Sequence, residues 1–412
     1  MRTKSRLRIG AAAAALILAA NTAIAGAPGE MPGQHFEVKF ADLPPPTTDS
    51  PANSSEVIAR PANATLHVPD GFSVTLFADG LEHPRWLAVA PNGDVFLAEP
   101  RANKITVLRD ADGDGVAETR QTFADGFERP HGLAFQPGAL YVGDLNGVWR
   151  LAYADGALKA GGRIQVTAPG AFGAKGGNHW TRNIAFSPDG GQFFVAIGSA
   201  SNISEEPSPR ATVQRFNKDG SGQATFASGV RNAVGISFYP GTNDLYVVVN
   251  ERGGLGDKLV PDYLTKLEDG AFYGWPYAYL GPHPDPDYGA RKPDMVAKAV
   301  APDLLFEAHS APLGLVFYEG EQFPAEYKGD AFVALHGSWN AGVPTGYKVV
   351  RVKFANGEPA GGYDNFATGF WEQGAETAQV WGRPVGLAVA KDGSLLIADD
   401  AGKAVWRVSY RK

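Results

Sequence analysis

Residues 183–198 read NIAFSPDGGQFFVAIG: a short apolar segment, a turn with proline and glycine, and a longer apolar segment. Six units along the chain share this order of features. The aliphatic residues that mark the first segment of each unit are Leu87, Leu133, Ile184, Ile236, Leu315 and Leu387. A strand–turn–strand unit that returns after about 40 to 50 residues is typical of the blades of a β-propeller. We therefore predict an all-β fold, a six-bladed β-propeller, rather than a β-sandwich, which does not repeat one such unit six times.

The two ends of the repeat predict how the propeller closes. The last unit offers only three apolar segments, Val385–Ala390, Ser394–Ala398 and Ala404–Tyr410. The segment Phe72–Ala78 (FSVTLFA) precedes the first unit and has no unit of its own. We expect this N-terminal strand to pair with the last unit and supply its missing fourth strand.

The N-terminus has the features of a signal peptide. Basic residues alternate through the first eight positions, an apolar run follows from Ile9 to Ala20, and Ala23-Ile24-Ala25 is a small-residue cleavage site. The apolar run is too short to span a membrane, so we predict no membrane span in the mature chain. We expect cleavage near Ala25, a periplasmic or secreted protein, an extended leader over residues 26–65 and the propeller as catalytic domain over 66–412.

Composition excludes several classes of function. The chain has no cysteine, which rules out disulfides, iron–sulfur clusters, thioether-linked haem and thiolate zinc sites. Its formal net charge is −7 with no basic block, which argues against nucleic acid as a partner. No G-x-S-x-G, P-loop or dinucleotide-binding motif is present, so serine-hydrolase, P-loop and nicotinamide chemistry have no support.

Arginine and histidine recur in the turns that lead into the predicted first strands. In a propeller these turns meet at one mouth of the central channel. The residues are His83, Arg85, Arg129, His131, His179, Arg182, Arg231, His309 and Arg383. For any one of them, an ion pair or hydrogen bond to a neighbouring blade is the alternative. Together they would repel each other without an anionic ligand, so we predict a ligand with several carboxylates or phosphates.

Two segments are candidates for binding Ca²⁺. The Gly-rich loop NERGGLGD (Asn250–Asp257) follows a predicted strand and offers backbone carbonyls and a carboxylate, which suit Ca²⁺, although a wide turn is the alternative. Asp110, Asp112 and Asp114 resemble the start of an EF-hand loop, but Gln121 occupies its twelfth position, where Glu is expected. A hairpin turn that binds Ca²⁺ structurally is our interpretation of this second segment.

Four longer strings resemble a known family: GNHWTRNIAFSPDG, SGVRNAVGISFYP, NERGGLGDKLVPDYLTKLEDGAFYGWPYAY and FVALHGSWN. They are similar to the sorbosone dehydrogenase branch of the sugar dehydrogenases that depend on pyrroloquinoline quinone (PQQ), over about residues 66–412. The resemblance implies PQQ, a tricarboxylate quinone, together with Ca²⁺, and oxidation of a sugar or sugar aldehyde. Because the chain has no cysteine for covalent haem, we expect a separate electron acceptor, cytochrome c or a quinone.

The resemblance also implies roles for single residues. His179 corresponds to the base that takes the hydroxyl proton while hydride leaves for PQQ, and Arg231 to the arginine that polarises the quinone carbonyl. Asn232 corresponds to a residue that hydrogen-bonds the quinone. Gly253 and Gly254 match the pair whose carbonyls hold Ca²⁺.

Further positions correspond to cofactor-binding residues of the family, but at several of them the residue type differs. His336 stands where related enzymes use a lysine to bind PQQ, and Arg383 matches one of two arginines that hold its carboxylates. Trp381 replaces the second arginine, and we expect its ring to stack on the quinone. Gly177 and Ala341 stand where relatives have lysine and arginine.

Two other classes of function remain open at this point. A metal-dependent lactonase-type propeller hydrolase would need convergent Glu, Asn and Asp side chains at the mouth, and a non-catalytic binding propeller would need no base there. Long intervals between units predict insertions at about residues 251–311 and 337–382, which we expect to set the specificity for the sugar.

Overall fold

The computed structural model describes residues 30–48 and 51–411, so the predicted signal peptide and its cleavage site lie outside the described residues. Three antiparallel sheets of four consecutive strands fill the first half of the chain. Sheet 1 contains Leu87–Val89, Val95–Glu99, Lys104–Arg109 and Thr119–Ala124. Sheet 2 contains Gly132–Gln136, Ala139–Gly143, Val148–Ala152 and Arg163–Gln165. Sheet 3 contains Ile184–Phe186, Gln192–Ile197, Thr212–Asn217 and Ala224–Ser228.

Three further sheets follow the same plan. Sheet 4 contains Asn232–Phe238, Leu245–Asn250, Pro261–Leu267 and Leu304–Ala308. Sheet 5 contains Pro312–Phe317, Ala331–Leu335, Lys348–Val352 and Tyr363–Ala367. Sheet 6 contains Pro384–Val389, Leu395–Asp399 and Ala404–Tyr410, with Phe72–Ala78 as its fourth strand. The prediction of an all-β protein is confirmed.

The second strand of each sheet explains the longer apolar segments of the repeat. All five residues of Val95–Glu99, Ala331–Leu335 and Leu395–Asp399 are buried. Both faces of these strands are covered by neighbouring sheets, so their first four residues are apolar without alternation.

The predicted partner of the N-terminal strand is also confirmed. Phe72–Ala78 runs antiparallel to Ala404–Tyr410, with Phe72 opposite Tyr410 and Leu76 opposite Trp406. The ring of Phe72 packs edge-on against that of Tyr410, with 4.9 Å between centroids. Strands from the two ends of the domain therefore share one sheet.

The first strands of the six sheets contact one another in cyclic order, from sheet 1 to sheet 6 and back to sheet 1. A Cβ atom on Gly386 of sheet 6 would lie 2.2 Å from the carbonyl oxygen of Arg85, just before sheet 1. A Cβ atom on Gly314 of sheet 5 would lie 2.2 Å from the carbonyl oxygen of Val385. Only glycine permits so close an approach, which explains why glycine precedes the aliphatic residue in these units.

The bounds predicted for the two insertions were wrong. Residues 251–311 include two strands of sheet 4, and residues 337–382 include two strands of sheet 5. Those strands can carry polar residues because other parts of the fold supply ion-pair and hydrogen-bond partners. The side chain of Lys348, for example, is fully buried, with its Nζ 2.6 Å from Glu30 Oε1. The true insertion in sheet 4 is the segment 268–303.

Short elements complete the described part of the chain. Two hairpins pair Ala278–Tyr279 with His283–Pro284 and Phe354–Ala355 with Glu358–Pro359. Helical elements are the 3₁₀ turns Phe40–Asp42, Gly289–Arg291 and Ala325–Tyr327 and the α-helix Pro293–Val296. Among the described residues there is thus no helix with the length and apolar character needed to cross a membrane.

The segment predicted as an extended leader lies against the sheets. His35–Phe36 forms a fifth strand at the edge of sheet 5, beside Tyr363–Ala367. Glu56–Val57 pairs in parallel with Gln379–Val380, which pairs in turn with Trp371–Gln373. The leader therefore contributes strand pairing to two places in the fold.

Candidate active site

Two adjacent cavities lie where the turns that precede the first strands meet. The His179 cavity, of about 470 Å³, is lined by His179, Arg231, Asn232, Gly253 and Trp339, among others. The Arg129 cavity, of about 510 Å³, is lined by residues that include Arg85, Arg129, Trp180 and Asp400. Because His336 and Arg383 line both, the two cavities lie side by side at this mouth.

Seven of the nine arginines and histidines singled out in the sequence line these cavities: His83, Arg85, Arg129, His179, Arg231, His309 and Arg383. The other two are buried elsewhere. His131 is fully buried with Nδ1 2.7 Å from Asn183 Oδ1, and Arg182 donates to the carbonyl oxygen of Thr181 at 2.7 Å. The predicted convergence is therefore real for most of the set.

His179 is held in one tautomer by Ser199. Its Nδ1 lies 2.9 Å from both the carbonyl oxygen and the Oγ of Ser199. The Ser199 hydroxyl donates its own hydrogen to the Ser201 carbonyl at 2.7 Å, so both Ser199 oxygens accept and Nδ1 carries the imidazole hydrogen. Burial, reinforced by the charge of Arg231, lowers the pKa of His179 to about 3. The ring is thus neutral near pH 7 and its Nε2 has a lone pair available to accept a proton.

Arg231 is fixed by three neutral acceptors. Its Nε donates to the Asn202 carbonyl at 2.9 Å, its Nη2 to Asn202 Oδ1 at 3.0 Å and its Nη1 to the Asn250 carbonyl at 3.0 Å. Burial lowers the pKa of Arg231 to about 10, which leaves it charged. Next to it, Asn232 Oδ1 is buried without a hydrogen-bond partner among the described residues. The site therefore offers a fixed cation and an unsatisfied amide.

Asn202 organises this region and was missed in the sequence analysis. Its Nδ2 donates to the Gly253 carbonyl and its Oδ1 accepts from the Gly253 amide, each at 3.0 Å. Its backbone carbonyl also accepts from Trp275 Nε1 at 3.0 Å. Asn202 lies in a serine-rich loop between the second and third strands of sheet 3, and no spacing or motif distinguishes it there.

The Gly-rich loop brings a carboxylate as well as carbonyls to the cavity. Gly253 lines the His179 cavity, but its carbonyl already accepts from Asn202 and from Arg252 Nε. Gly254 has φ of 90° and is not a lining residue of either cavity. Glu251 Oε1, by contrast, is buried without a partner among the described residues, and burial raises the pKa of Glu251 to about 7. Glu251 is the oxygen donor that the sequence analysis did not name.

Asp400 lines the Arg129 cavity, next to the wall of His336 and Arg383 that both cavities share. Its carboxylate accepts from Arg85 Nη1 at 2.7 Å and lies 3.0 Å from His336 Nε2 and 3.3 Å from His83 Nε2. Although burial acts to raise the pKa of Asp400, its neighbours His336 and Arg85 hold it well below its usual range. The ionised carboxylate orients all three side chains.

Arg383 and His336 are coupled at this wall. Arg383 Nε donates to the His336 carbonyl at 3.0 Å and its Nη2 to the Gly337 carbonyl at 2.9 Å. The backbone amide of Arg383 donates to Asp399 Oδ1 at 2.7 Å. Both residues predicted to hold carboxylates of a cofactor therefore face the His179 cavity.

Trp381 is not part of the site, and the expectation that it stacks on a cofactor is wrong. It is 1% exposed and lines neither cavity. Its ring packs against Phe370 and Trp406, with centroid distances of 5.4 and 5.5 Å. The large ring fills the hydrophobic core beneath sheet 6.

The acidic segment lies outside both cavities. The carboxylates of Asp110, Asp112, Asp114 and Glu118 lie within 4.8 Å of one another. Glu118, and not Gln121 at the twelfth loop position, joins the three aspartates. Binding of Ca²⁺ at this cluster stays a prediction.

Comparison with known proteins finds relatives among sugar dehydrogenases. A pyrroloquinoline quinone-dependent pyranose dehydrogenase from Coprinopsis cinerea is 26% identical over 415 residues, which cover 83% of this chain and 54% of that protein. An uncharacterised protein from Borreliella burgdorferi is 29% identical over 374 residues, covering 87% of this chain and 95% of that one. The holo PQQ domain of the Coprinopsis pyranose dehydrogenase matches with a TM-score of 0.70 and 22% identity, over 86% of this chain and all of that one.

The broader resemblance, to PQQ-dependent sugar dehydrogenases, is thus confirmed among the relatives. Residues 66–260 and 290–411 match the TrAA12-like family, which accounts for most of the chain. The unmatched segment, 261–289, comprises the strand Pro261–Leu267 and the first part of the insertion of sheet 4. The chain therefore belongs to the TrAA12-like family.

Proposed function

We propose that the protein is a quinoprotein dehydrogenase that oxidises a sugar or sugar aldehyde with PQQ and Ca²⁺. The observation that carries this proposal is the neutral His179, with a free Nε2, in the same cavity as the buried cation Arg231. A base beside a fixed positive charge suits the removal of a hydroxyl proton while electrons leave toward an electrophile. In this proposal the six sheets are the blades of a six-bladed propeller closed by Phe72–Ala78.

The residues of the His179 cavity fit PQQ. The guanidinium of Arg231 donates its hydrogen bonds to neutral acceptors, and the Oδ1 of Asn232 has no hydrogen-bond partner among the described residues. Arg231 and the side-chain Nδ2 of Asn232 would donate hydrogen bonds to the quinone oxygens, and His336 and Arg383 would hold the carboxylates of PQQ. A cavity of this volume suits a cofactor of that size.

When bound, PQQ supplies the hydride acceptor. The chain supplies position and charge. His179 Nε2 accepts the proton of the substrate hydroxyl, and the Ser199 carbonyl, hydrogen-bonded to Nδ1, stabilises the imidazolium that results. Arg231 needs no reorientation, since Asn202 and Asn250 already fix its guanidinium.

Glu251 and Gly253 would hold Ca²⁺ at the edge of the same cavity, with Gly254 next to them in the loop. The free oxygen of Glu251 and the local carbonyls are the hard oxygen donors that Ca²⁺ prefers. The cation would also stabilise the ionised form of Glu251, whose pKa burial raises.

The substrate, acceptor and location are further parts of the proposal. Trp339 lines the cavity and is 60% exposed, as suits an aromatic platform for a sugar ring such as an aldose, a pyranose or sorbosone. Electrons leave to a separate cytochrome c or quinone. The signal-peptide pattern supports a periplasmic or secreted location.

Ligand geometry disfavours the lactonase alternative. In residues 30–48 and 51–411, a cluster of three or more potential metal-ligating His, Asp or Glu side chains occurs only at Asp110–Glu118, outside the mouth. The free base in the mouth likewise disfavours a purely binding propeller.

The decisive experiment is an absorbance titration of the purified protein with PQQ, with and without Ca²⁺, followed by dye reduction with aldoses and sorbosone. Saturable PQQ binding and PQQ-dependent dye reduction are expected. Turnover with nicotinamide or flavin alone, or no PQQ binding at micromolar concentration, would contradict the proposal.

A further inference from the structure

The Arg129 cavity carries an excess of positive charge in an acidic protein. Its lining includes five cationic side chains and one carboxylate, that of Asp400. The cations are Arg85, Arg101, Arg129, Arg383 and Lys403. The whole chain has a formal net charge of −7, so this local excess is not a general property of the surface.

Three of these cations lack a counter-ion. Asp400 is already engaged by Arg85, His83 and His336. The side chains of Arg101 and Lys403 make no hydrogen bond or ion pair with described residues. The guanidinium of Arg129 lies 4.2 Å from the centre of the Trp180 ring and likewise has no carboxylate partner in the described part of the chain. Like charges gathered in one concave site are stabilised by an anion.

We propose that the Arg129 cavity binds the anionic group, a carboxylate or a phosphate, of an acidic sugar whose reacting carbon lies near His179. This inference rests on the proposed function and adds the class of substrate. His336 and Arg383 lie in the wall that the two cavities share, so an anionic group bound in the Arg129 cavity would lie next to the His179 cavity. Guanidinium groups bind carboxylates and phosphates with paired, charge-assisted hydrogen bonds.

The position of the free cations favours a substrate over a resident cofactor. Arg101, Arg129 and Lys403 line the Arg129 cavity and are exposed, as suits residues that bind a ligand exchanged in each turnover. The groups that fit the quinone, Arg231 and Asn232, are buried in the other cavity. A concave site of about 510 Å³ also fits a small molecule better than an acidic protein surface.

Matched substrate pairs test the proposal in the PQQ-loaded enzyme: glucose against glucuronate, galactose against galacturonate, and glucose against glucose 6-phosphate. We expect at least one acidic sugar to have a kcat/KM about 10 to 100 times that of its neutral partner, as for a hydrogen bond to a charged group. The preference should shrink in about 0.5 M sodium chloride, because salt screens the exposed cations. The uronate and phosphate arms decide which anion is bound.

Arg101→Gln and Arg129→Gln should each reduce that preference and leave kcat/KM for neutral sugars within about threefold of the parent. Lys159→Gln is the control, since Lys159 is exposed, lines neither cavity and changes the net charge equally. Two results would overturn the inference. One is a kcat/KM for every neutral sugar that equals or exceeds that of its acidic partner. The other is a preference for the acidic sugar that persists in both Arg101→Gln and Arg129→Gln.

A calorimetric titration of the protein with glucuronate and with inorganic phosphate, without PQQ, separates this inference from the proposed function. Binding that Arg129→Gln weakens and Lys159→Gln does not supports the anion site, even if the protein never binds PQQ. If Arg129→Gln instead weakens PQQ binding, the cavity belongs to the cofactor and the inference is wrong. If neutral sugars alone are oxidised with PQQ, the proposed function stands and the inference fails.

Discussion

His179 donates its Nδ1 hydrogen to the carbonyl oxygen of Ser199 over 2.9 Å, and this bond decides which ring nitrogen faces the substrate. A histidine held in this way presents an unprotonated Nε2 without a preceding deprotonation. The chemistry proposed for the site depends on this arrangement more than on any other single contact.

His179→Ala should lower the rate of cofactor reduction by sugar about 10²- to 10⁴-fold, because a positioned general base is lost. PQQ affinity should stay close to that of the parent, since the base is not the group that holds the carboxylates. Single-turnover stopped-flow measurements and a PQQ titration check both parts. His131→Ala is the comparison: if it abolishes reduction while His179→Ala reduces normally, the assignment of the base is wrong.

The rate of cofactor reduction by sugar should not change between about pH 8 and pH 5, the range in which an ordinary histidine would titrate. Burial lowers the pKa of His179 to about 3 from 6.5, so the folded protein keeps the base unprotonated in this range. Between those two values the unfolded chain binds a proton that the folded one does not, so His179 lowers the stability as the pH falls through that window. A rate that halves near pH 6.5 would contradict the expectation.

Arg231→Ala should differ from the histidine variant in kind. It removes a buried charge that both binds the cofactor and stabilises developing negative charge, so turnover should fall about 10²- to 10³-fold and PQQ binding should weaken as well. Arg231→Lys keeps the charge but loses two of the three hydrogen bonds to Asn202 and Asn250. Its turnover and PQQ affinity should lie between those of the parent and those of Arg231→Ala. Unchanged PQQ affinity in Arg231→Ala would remove this residue from the cofactor site.

Glu251→Gln tests the carboxylate beside the Gly-rich loop. Burial raises the pKa of Glu251 to about 7 from 4.5, so the folded protein binds the extra proton in that interval and the ionised form costs stability above it. The variant should therefore melt a few degrees higher than the parent at about pH 8 but not at about pH 5. It should also need more Ca²⁺ for activity. An unchanged Ca²⁺ requirement would place the cation elsewhere.

Trp381→Phe should affect stability and not the cofactor. Removing part of a fully buried ring leaves a cavity beside Phe370 and Trp406, at a cost of about 1 to 3 kcal/mol. Thermal unfolding should show the loss, and PQQ affinity of the folded fraction should be unchanged. A weakened PQQ affinity would restore the stacking role that the structure contradicts.

The strand repeat was readable from the sequence because each unit is local. Leu87, Ile184 and Leu387 all begin short apolar segments next to turns, and each opens or lies in the first strand of a sheet. The pairing of Phe72–Ala78 with the last sheet followed from counting strands. By contrast, the strand Pro261–Leu267 was not predicted, because its charged residues have partners elsewhere in the sequence: Asp262 accepts from the amide of Ala311, and Lys266 Nζ lies 2.7 Å from Glu358 Oε1.

The residues of the candidate site could be predicted from the sequence where the residue type itself, a charged or imidazole side chain, indicates the function. Arg231 and His179 could be named because cations and imidazoles recur before first strands. Asn202 could not, since its role consists of contacts with Arg231 and Gly253 that no spacing encodes. Trp381 was misplaced because matching a family position does not reveal which side of the chain faces the core.

The shared sheet of Phe72–Ala78 and Ala404–Tyr410 also sets an order on biosynthesis. Because a chain is synthesised from its N-terminus, residues 72–78 leave the ribosome long before their partner strand does. Until then this strand has an open edge, and such edges recruit other chains. Loss of the last strand through an early stop or C-terminal proteolysis would leave the N-terminal strand Phe72–Ala78 without a pairing partner. Damage at the C-terminus would therefore destabilise the N-terminal strand as well.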